Sequence, residues 1–168
     1  MKTTCIVTAI AAVLAQYTGT VQAKSVYVVV DTNYSRLRAY QINGSSLTYQ
    51  DEYQSQQHYS GAVGVALAGD YMFLTFEGSA EIEVVSAKTL LPVEVVTAPG
   101  ASNLAGIVAD YARGKVYAVD RGRHSIYVYD WNPRVRALTL DEVVNPPTLQ
   151  NHGTWVFWGH HTYFCGRG

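Results

Sequence analysis

The amino-acid sequence predicts an all-β protein, and three observations support this fold class. Helix-type hydrophobic periodicity is nearly absent after Lys24, whereas short runs rich in Val, Tyr and Ile recur between clusters of Gly, Asn, Asp and Pro. The 13 tyrosines suit strands, because an aromatic ring with a polar tip fits a pleated sheet that faces water. With 48% hydrophobic residues, the chain can also bury a core.

The charge content argues against one class of partner. The 168 residues carry a formal net charge of -1, and only 15% of them are charged. Nucleic-acid binding rests on a strong basic field that neutralises phosphates, and this composition supplies none. We therefore expect no nucleic-acid partner.

The first 23 residues have the features of a signal peptide. Lys2 supplies one positive charge, and the apolar run over residues 6–15 is shorter than the about 20 residues that span a bilayer. Residues 21–23 (Val-Gln-Ala) offer the small side chains that a signal peptidase reads. A buried N-terminal helix is the alternative, although the run has no amphipathic stripe. We expect a secreted or periplasmic mature chain, residues 24–168, with no membrane anchor.

A repeat organises the rest of the chain. Strand-like segments at residues 26–31, 71–75 and 116–120 are each followed by a second such segment, and Asp31, Thr75 and Asp120 at their ends lie 44 and 45 residues apart. A period of about 40–50 residues with several strands per repeat is typical of β-propeller blades. The sequence therefore predicts a partial β-propeller of about three four-stranded antiparallel blades.

The repeat also assigns each predicted strand to a blade. Blades two and three contain four strands each, and blade one begins at its second strand, so its inner strand is missing. The predicted blades cover residues 25–60, 61–105 and 106–150, and residues 151–168 begin a fourth. The predicted strands are 25–31, 37–42 and 47–53, then 63–68, 71–76, 80–86 and 93–97, then 106–110, 115–120, 125–130 and 136–143.

The third repeat carries a family resemblance. Gly-Ile-Val-Ala-Asp at residues 106–110, Gly-Lys-Val-Tyr-Ala-Val-Asp at 114–120 and the strand after Gly122-Arg123-His124 resemble a blade of the NHL-repeat family, whose neighbours are the YVTN-type and gluconolactonase-like propellers. The resemblance implies a propeller from about residue 25 to about residue 159. It implies no single chemistry, because such propellers host binding, scaffolding and catalytic roles.

Loops on one face of such a propeller are the candidate ligand-binding site, since loops on a rigid scaffold concentrate binding groups. Asp31 and Asp120 end matching strands before turns that carry Arg. Each could accept hydrogen bonds from its own loop. Alternatively, a polar rim could recognise an anionic or sugar ligand through charge-assisted hydrogen bonds. The rim comprises Asp31, Arg36, Asn103, Asp120, Arg121, Arg123 and His124.

Metal and catalytic signals are weak. His152, His160 and His161 invite a metal hypothesis, but adjacent residues of a strand point to opposite faces, which favours a polar turn. The acidic residues Glu81 and Glu83 share a strand face and are predicted to form a solvated acidic surface. The chain has no recognisable hydrolase, phosphate-binding or metalloprotease motif. We expect no catalytic residue, no metal site and no cofactor.

Taken together, the sequence favours an exported, non-catalytic binding or scaffold module for a protein or carbohydrate ligand. One alternative is a fragment of a gluconolactonase-like hydrolase, which would need a divalent cation, and another is a truncated propeller with no independent activity. Closed propellers hold about 4–8 blades. We therefore expect two chains to associate into a six-blade ring, or strand 154–158 to supply the inner strand missing from blade one.

Overall fold

The computed structural model describes residues 24–30, 35–55, 61–145, 153–158 and 161–166. The predicted signal peptide and Asp31 lie outside these ranges. The described chain contains no helix, and its strands are β1 (Lys24–Val30), β2 (Arg36–Asn43), β3 (Ser46–Gln54), β4 (Ala62–Ala68), β5 (Tyr71–Phe76), β6 (Glu81–Ser86), β7 (Pro92–Thr97), β8 (Leu104–Asp110), β9 (Lys115–Asp120), β10 (Ser125–Asn132), β11 (Ala137–Val144), β12 (Gly153–Trp158) and β13 (His161–Gly166).

These strands form four antiparallel sheets, each a consecutive meander. Strands β1–β3 form the first sheet, β4–β7 the second, β8–β11 the third, and β12 pairs with β13. Neighbouring sheets contact one another through β4 and β8, and β12 contacts β8 in turn. This succession of small meander sheets around their inner strands confirms the all-β class and the partial propeller.

The core lies between the sheets, which explains why the strands read as nearly continuous hydrophobic runs. Five of the six residues of β5 are buried, because blade one covers one face of this strand and blade three the other. Leu37 of β2 joins Met72 in the cluster between the first two blades. On the other side, the Phe73 ring lies 5.0 Å from the Trp131 ring in an edge-to-face contact.

The inner strands approach each other closely at Gly64 in β4. A Cβ atom at this position would lie 3.3 Å from the backbone nitrogen of Ile107 in β8 and even closer to the Thr75 hydroxyl. Only a residue without a side chain fits such an approach without displacing its neighbours. Gly64 therefore helps to set the spacing between blades two and three.

Within the described part of the chain, the sheet of blade one has three strands. Strand β1 contacts β4 of the next blade in the way that β5 contacts β8, and the strand order β1-β2-β3 places no described strand on the inner side of β1. Strand β12 pairs with β13 rather than with β1. The alternative in which residues 154–158 complete blade one is therefore wrong for this structure.

Candidate ligand-binding face

Three backbone segments from blades two and three meet on one face of the propeller. Here this surface is called the loop face, and it consists of the β5–β6 turn (residues 77–80), the β7–β8 connection (98–103) and the β9–β10 turn (121–124). The backbone N–H of Gly78 donates to Asn103 Oδ1 at 3.1 Å, and that of Arg121 donates to the Asn103 carbonyl at 2.9 Å. Asn103 thereby joins both turns to the connection between the blades.

Asp120 holds this arrangement from beneath. Its side chain is fully buried, and its carboxylate accepts backbone N–H groups from Ser102 at 3.0 Å, Asn103 at 3.0 Å and Gly122 at 2.8 Å. Hydrogen bonds to an ionised carboxylate are among the stronger ones in proteins. The prediction that Asp120 contacts a ligand as part of the rim is wrong, because its carboxylate oxygens are buried and accept hydrogen bonds from the loop backbone.

The turn after Asp120 needs a residue without a side chain. A Cβ atom at Gly122 would collide with the Ser102 hydroxyl and would lie 3.2 Å from Asp120 Oδ1. Two residues later, His124 has a φ angle of 57°, in the left-handed region that ends the turn before β10. The sequence Arg121-Gly122-Arg123-His124 therefore folds tightly against the connection from blade two.

The solvent-facing part of the loop face is cationic on balance. Arg121 Nη2 lies 3.1 Å from Glu77 Oε1, and both side chains are about half exposed, so this ion pair between the blades contributes only about 0–1 kcal/mol. Arg123 is exposed and makes no ion pair within the described part of the chain. His124 is partly buried beside it. Arg123 is thus the charged group most open to an anionic ligand.

The remaining rim candidates lie elsewhere or outside the described ranges. Arg36 begins β2 in blade one, where its Nη1 atom lies 3.2 Å from Glu52 Oε1. Blade one is separated by blade two from the turn that carries Arg121, Arg123 and His124. The structure therefore does not gather the predicted rim into one site, and its described centre is the junction around Asn103.

Glu83 lies in a different environment from the one that the sequence predicted. The predicted solvated acidic face is wrong at this residue, which is only 1% exposed. Its carboxylate accepts the Ser55 hydroxyl at 2.7 Å and the Tyr53 hydroxyl at 3.1 Å. Burial and the neighbouring Glu83 charge raise the pKa of Tyr53 above its usual range. The end of β3 covers this face of β6, which the sequence of β6 alone does not show.

The residues with described side chains contain no group of three or more His, Cys, Asp and Glu side chains placed to hold a metal ion. The Asn103 amide oxygen accepts a hydrogen bond from the backbone N–H of Gly78. The predicted histidine cluster at 152, 160 and 161 lies outside the described side chains.

In the described ranges, no helix is long and apolar enough to cross a membrane.

Comparisons with known proteins support the fold. No family model matches the chain, and no curated protein matches it in sequence. Solved structures do match, among them the β-propeller domain of Myceliophteria thermophila Cps50 (Swd1), with 13% identity and a TM-score of 0.57 over 64% of this chain and 37% of that one. A chain of a mitotic checkpoint complex matches with 10% identity and a TM-score of 0.59 over 77% and 39%. Chaetomium thermophilum Raptor matches with 12% identity and a TM-score of 0.62 over 80% and 12%.

These likenesses define the class of fold as a β-propeller. The structural neighbours are of the WD40 type, so they support the propeller architecture without the finer NHL or YVTN assignment. This chain spans less than two-fifths of the length of each of the three neighbours. Its similarity is thus to part of a propeller.

Proposed function

We propose that this chain is an exported, non-catalytic binding module that recognises a protein ligand through the loop face. One observation carries the proposal: the loop face is built from two blades and braced by the buried carboxylate of Asp120. Loops that are already ordered lose little conformational entropy when a ligand binds. One structural neighbour is a chain of a mitotic checkpoint complex, and a propeller that serves as a binding surface is consistent with that neighbour.

The chemistry of the exposed groups indicates the kind of ligand. Arg123 presents a planar guanidinium group, and Arg121 and His124 flank it in the same turn. Guanidinium groups form paired hydrogen bonds with carboxylates, which favours a protein segment rich in Asp and Glu. A neutral carbohydrate would gain less from this surface.

Export and the repeat type belong to the same proposal. The apolar run at residues 6–15 and the small residues at 21–23 support secretion, and the blade sequence at residues 106–130 supports an NHL-like or YVTN-like repeat. Expression of the complete chain in a secreting host tests export. A mature N-terminus at Lys24 is the expected result, and retention of residues 1–23 on intracellular protein would contradict it.

Binding is tested with a synthetic peptide of repeated Glu and Asp, measured against the purified chain. Arg123→Gln is expected to weaken binding about tenfold, because it removes a charged hydrogen-bond donor. Arg134→Gln is the matched control, since Arg134 is also exposed and lies in a turn at the other end of the blade. Equal weakening by the two variants, or no binding by the unchanged chain, would contradict the proposed ligand class.

Metal analysis of the purified chain separates this proposal from the hydrolase alternative. A non-catalytic module is expected to carry no divalent cation at the stoichiometry of the chain. A stoichiometric ion that a chelator removes together with activity towards lactones would replace the binding proposal with the hydrolase.

A further inference from the structure

The opposite face of the propeller is formed by a second set of turns. Because successive strands of a meander alternate in direction, the turns that join first to second and third to fourth strands lie at the ends away from the loop face. Here this surface is called the turn face, and its described turns are residues 44–45, 69–70, 87–91, 111–114 and 133–136. A close approach of the Tyr111 ring to Gly69 links the turns of blades two and three.

One exposed aliphatic side chain recurs on the turn face of each of the first three blades. Leu47 is 59% exposed, Leu91 61% and Val135 68%, and each lies in or beside the turn between the third and fourth strands. Successive members are 44 residues apart, which is the period of the blades themselves. Tyr111, at 66% exposed, adds an aromatic ring to the same face.

The recurrence is what makes these residues informative. A single exposed leucine is ordinary on a protein surface, and none of these three side chains belongs to either core cluster. The exposed aliphatic residues at the loop-face end of the sheets are Val143 and Val144, which at 40% and 38% are much less exposed. The strongly exposed aliphatic groups therefore concentrate on the turn face.

The turn face also differs from the whole chain in charge. Its five turns contain four cationic residues and one carboxylate, although the chain as a whole has a formal charge of -1. Lys88 is paired with Asp70, and Arg113 with Asp110 at the adjoining strand end. Arg134 and Arg136 make no ion pair in the described part of the chain, and they flank the exposed Val135.

We propose that the turn face docks on an anionic lipid bilayer surface. Leu47, Leu91 and Val135 enter the interface between headgroups and acyl chains, and Arg134 and Arg136 contact anionic headgroups. A bilayer fits better than a protein partner, because the three aliphatic groups belong to three different blades and are separated by polar turns. A planar interface accepts separate apolar side chains together with neighbouring cations.

The test measures partition of the complete chain onto vesicles of phosphatidylcholine alone and of phosphatidylcholine mixed with phosphatidylglycerol. The substitutions Leu47→Ser, Leu91→Ser and Val135→Ser, combined in one variant, are expected to reduce partition at least about tenfold. Val143→Ser with Val144→Ser is the matched control on the other face and is expected to leave partition unchanged. The apolar residues 6–15 are common to all variants, so the comparison isolates the turn face.

A second pair of variants tests whether anionic headgroups contribute to vesicle binding. Arg134→Gln is expected to reduce partition onto the mixed vesicles roughly fivefold, and Arg123→Gln, on the loop face, is expected to leave it unchanged. Equal partition onto both kinds of vesicle would overturn the anionic assignment. Undiminished partition of the triple variant would overturn the assignment of the turn face as the docking surface. The same conclusion would follow if the unchanged chain bound no vesicles and the triple variant differed from it only in oligomeric mass. Circular dichroism of each variant establishes that it is folded.

Discussion

The Tyr53 hydroxyl at the end of β3 donates to the buried carboxylate of Glu83 in β6, with the two oxygens 3.1 Å apart. Together with the Ser55 hydroxyl, which donates to the same carboxylate at 2.7 Å, this bond joins blade one to blade two beside an apolar cluster. A buried carboxylate is costly unless hydrogen bonds replace its lost hydration. The pair is therefore a determinant of how firmly blade one is held.

Tyr53→Phe should destabilise the protein by about 1–3 kcal/mol, because it removes one of the hydrogen bonds to the buried Glu83 carboxylate. Denaturant unfolding followed by tryptophan fluorescence measures the change. Tyr49→Phe, in the same strand but 51% exposed, is the control and should have little effect. Equal effects of the two substitutions would mean that the bond to Glu83 does not stabilise the fold.

Tyr129→Phe should leave stability unchanged or increase it by up to about 1 kcal/mol. The Tyr129 ring is fully buried, and its hydroxyl has no hydrogen-bond partner among the residues that the structure describes. Removal of an unsatisfied buried hydroxyl relieves a desolvation cost. The Tyr127 hydroxyl, in contrast, donates to the Pro99 carbonyl at 3.1 Å, so Tyr127→Phe should cost about 1 kcal/mol. Thermal unfolding of both variants checks the difference, and a reversed order would contradict it.

Stability should decline in alkaline solution because of buried tyrosines. Burial, and to a smaller degree the charge of Tyr127, raises the pKa of Tyr129 to about 12. The folded state thus holds the hydroxyl proton more tightly than the unfolded chain, whose tyrosines titrate near about pH 10. The contribution is complete below that value and is lost as pH rises towards about 12. Denaturant midpoints measured from about pH 8 to about pH 11 should fall, and less steeply for Tyr129→Phe. A flat profile would contradict the effect.

Gly122→Ala should destabilise the loop face by about 1–3 kcal/mol, because its methyl group would collide with the Ser102 hydroxyl above Asp120. Ser102→Ala in the same chain removes that hydroxyl and should restore part of the loss. Hydrogen exchange of the amides at residues 102, 103 and 122 reports the effect directly. Failure of the second substitution to restore protection would place the strain elsewhere.

Self-association is the prediction that follows from the three described strands of blade one. Two chains in one ring would give a solution mass of twice 18.4 kDa before any processing of the N-terminus. Analytical ultracentrifugation over a range of concentrations measures it. A stable monomer at every concentration would contradict the six-blade ring.

The sequence was sufficient to predict the strands because their hydrophobic runs and turn residues are local. The observed β5 and β9 have the bounds predicted from the repeat, and β4, β6 and β7 differ from their predicted bounds by one residue at one end. The hydrogen bond from the Gly122 N–H to Asp120 was also foreseeable, since an Asp side chain often accepts the backbone N–H two residues further along the chain.

The contacts between blades could not be predicted from the sequence. The burial of Glu83 depends on residues about 30 positions earlier, and nothing in the alternation of β6 separates a covered acidic residue from a solvated one. Arg36 shows a related limit within one blade, because its partner Glu52 comes from the neighbouring strand β3. The repeat predicted which strands carry Glu83 and Arg36. It did not predict which residues these side chains contact.

The hydrogen bonds of Asn103 have a consequence for the curvature of the propeller. Both neighbouring turns bond to this one residue, so the angle between blades two and three is fixed at the rim by backbone donors as well as by the apolar side chains beneath. A conservative substitution in the core cluster would then loosen the packing while the arc keeps its bend. Loss of the Asn103 side-chain amide would free only the turn of blade two, because the backbone N–H of Arg121 would still bond to the Asn103 carbonyl.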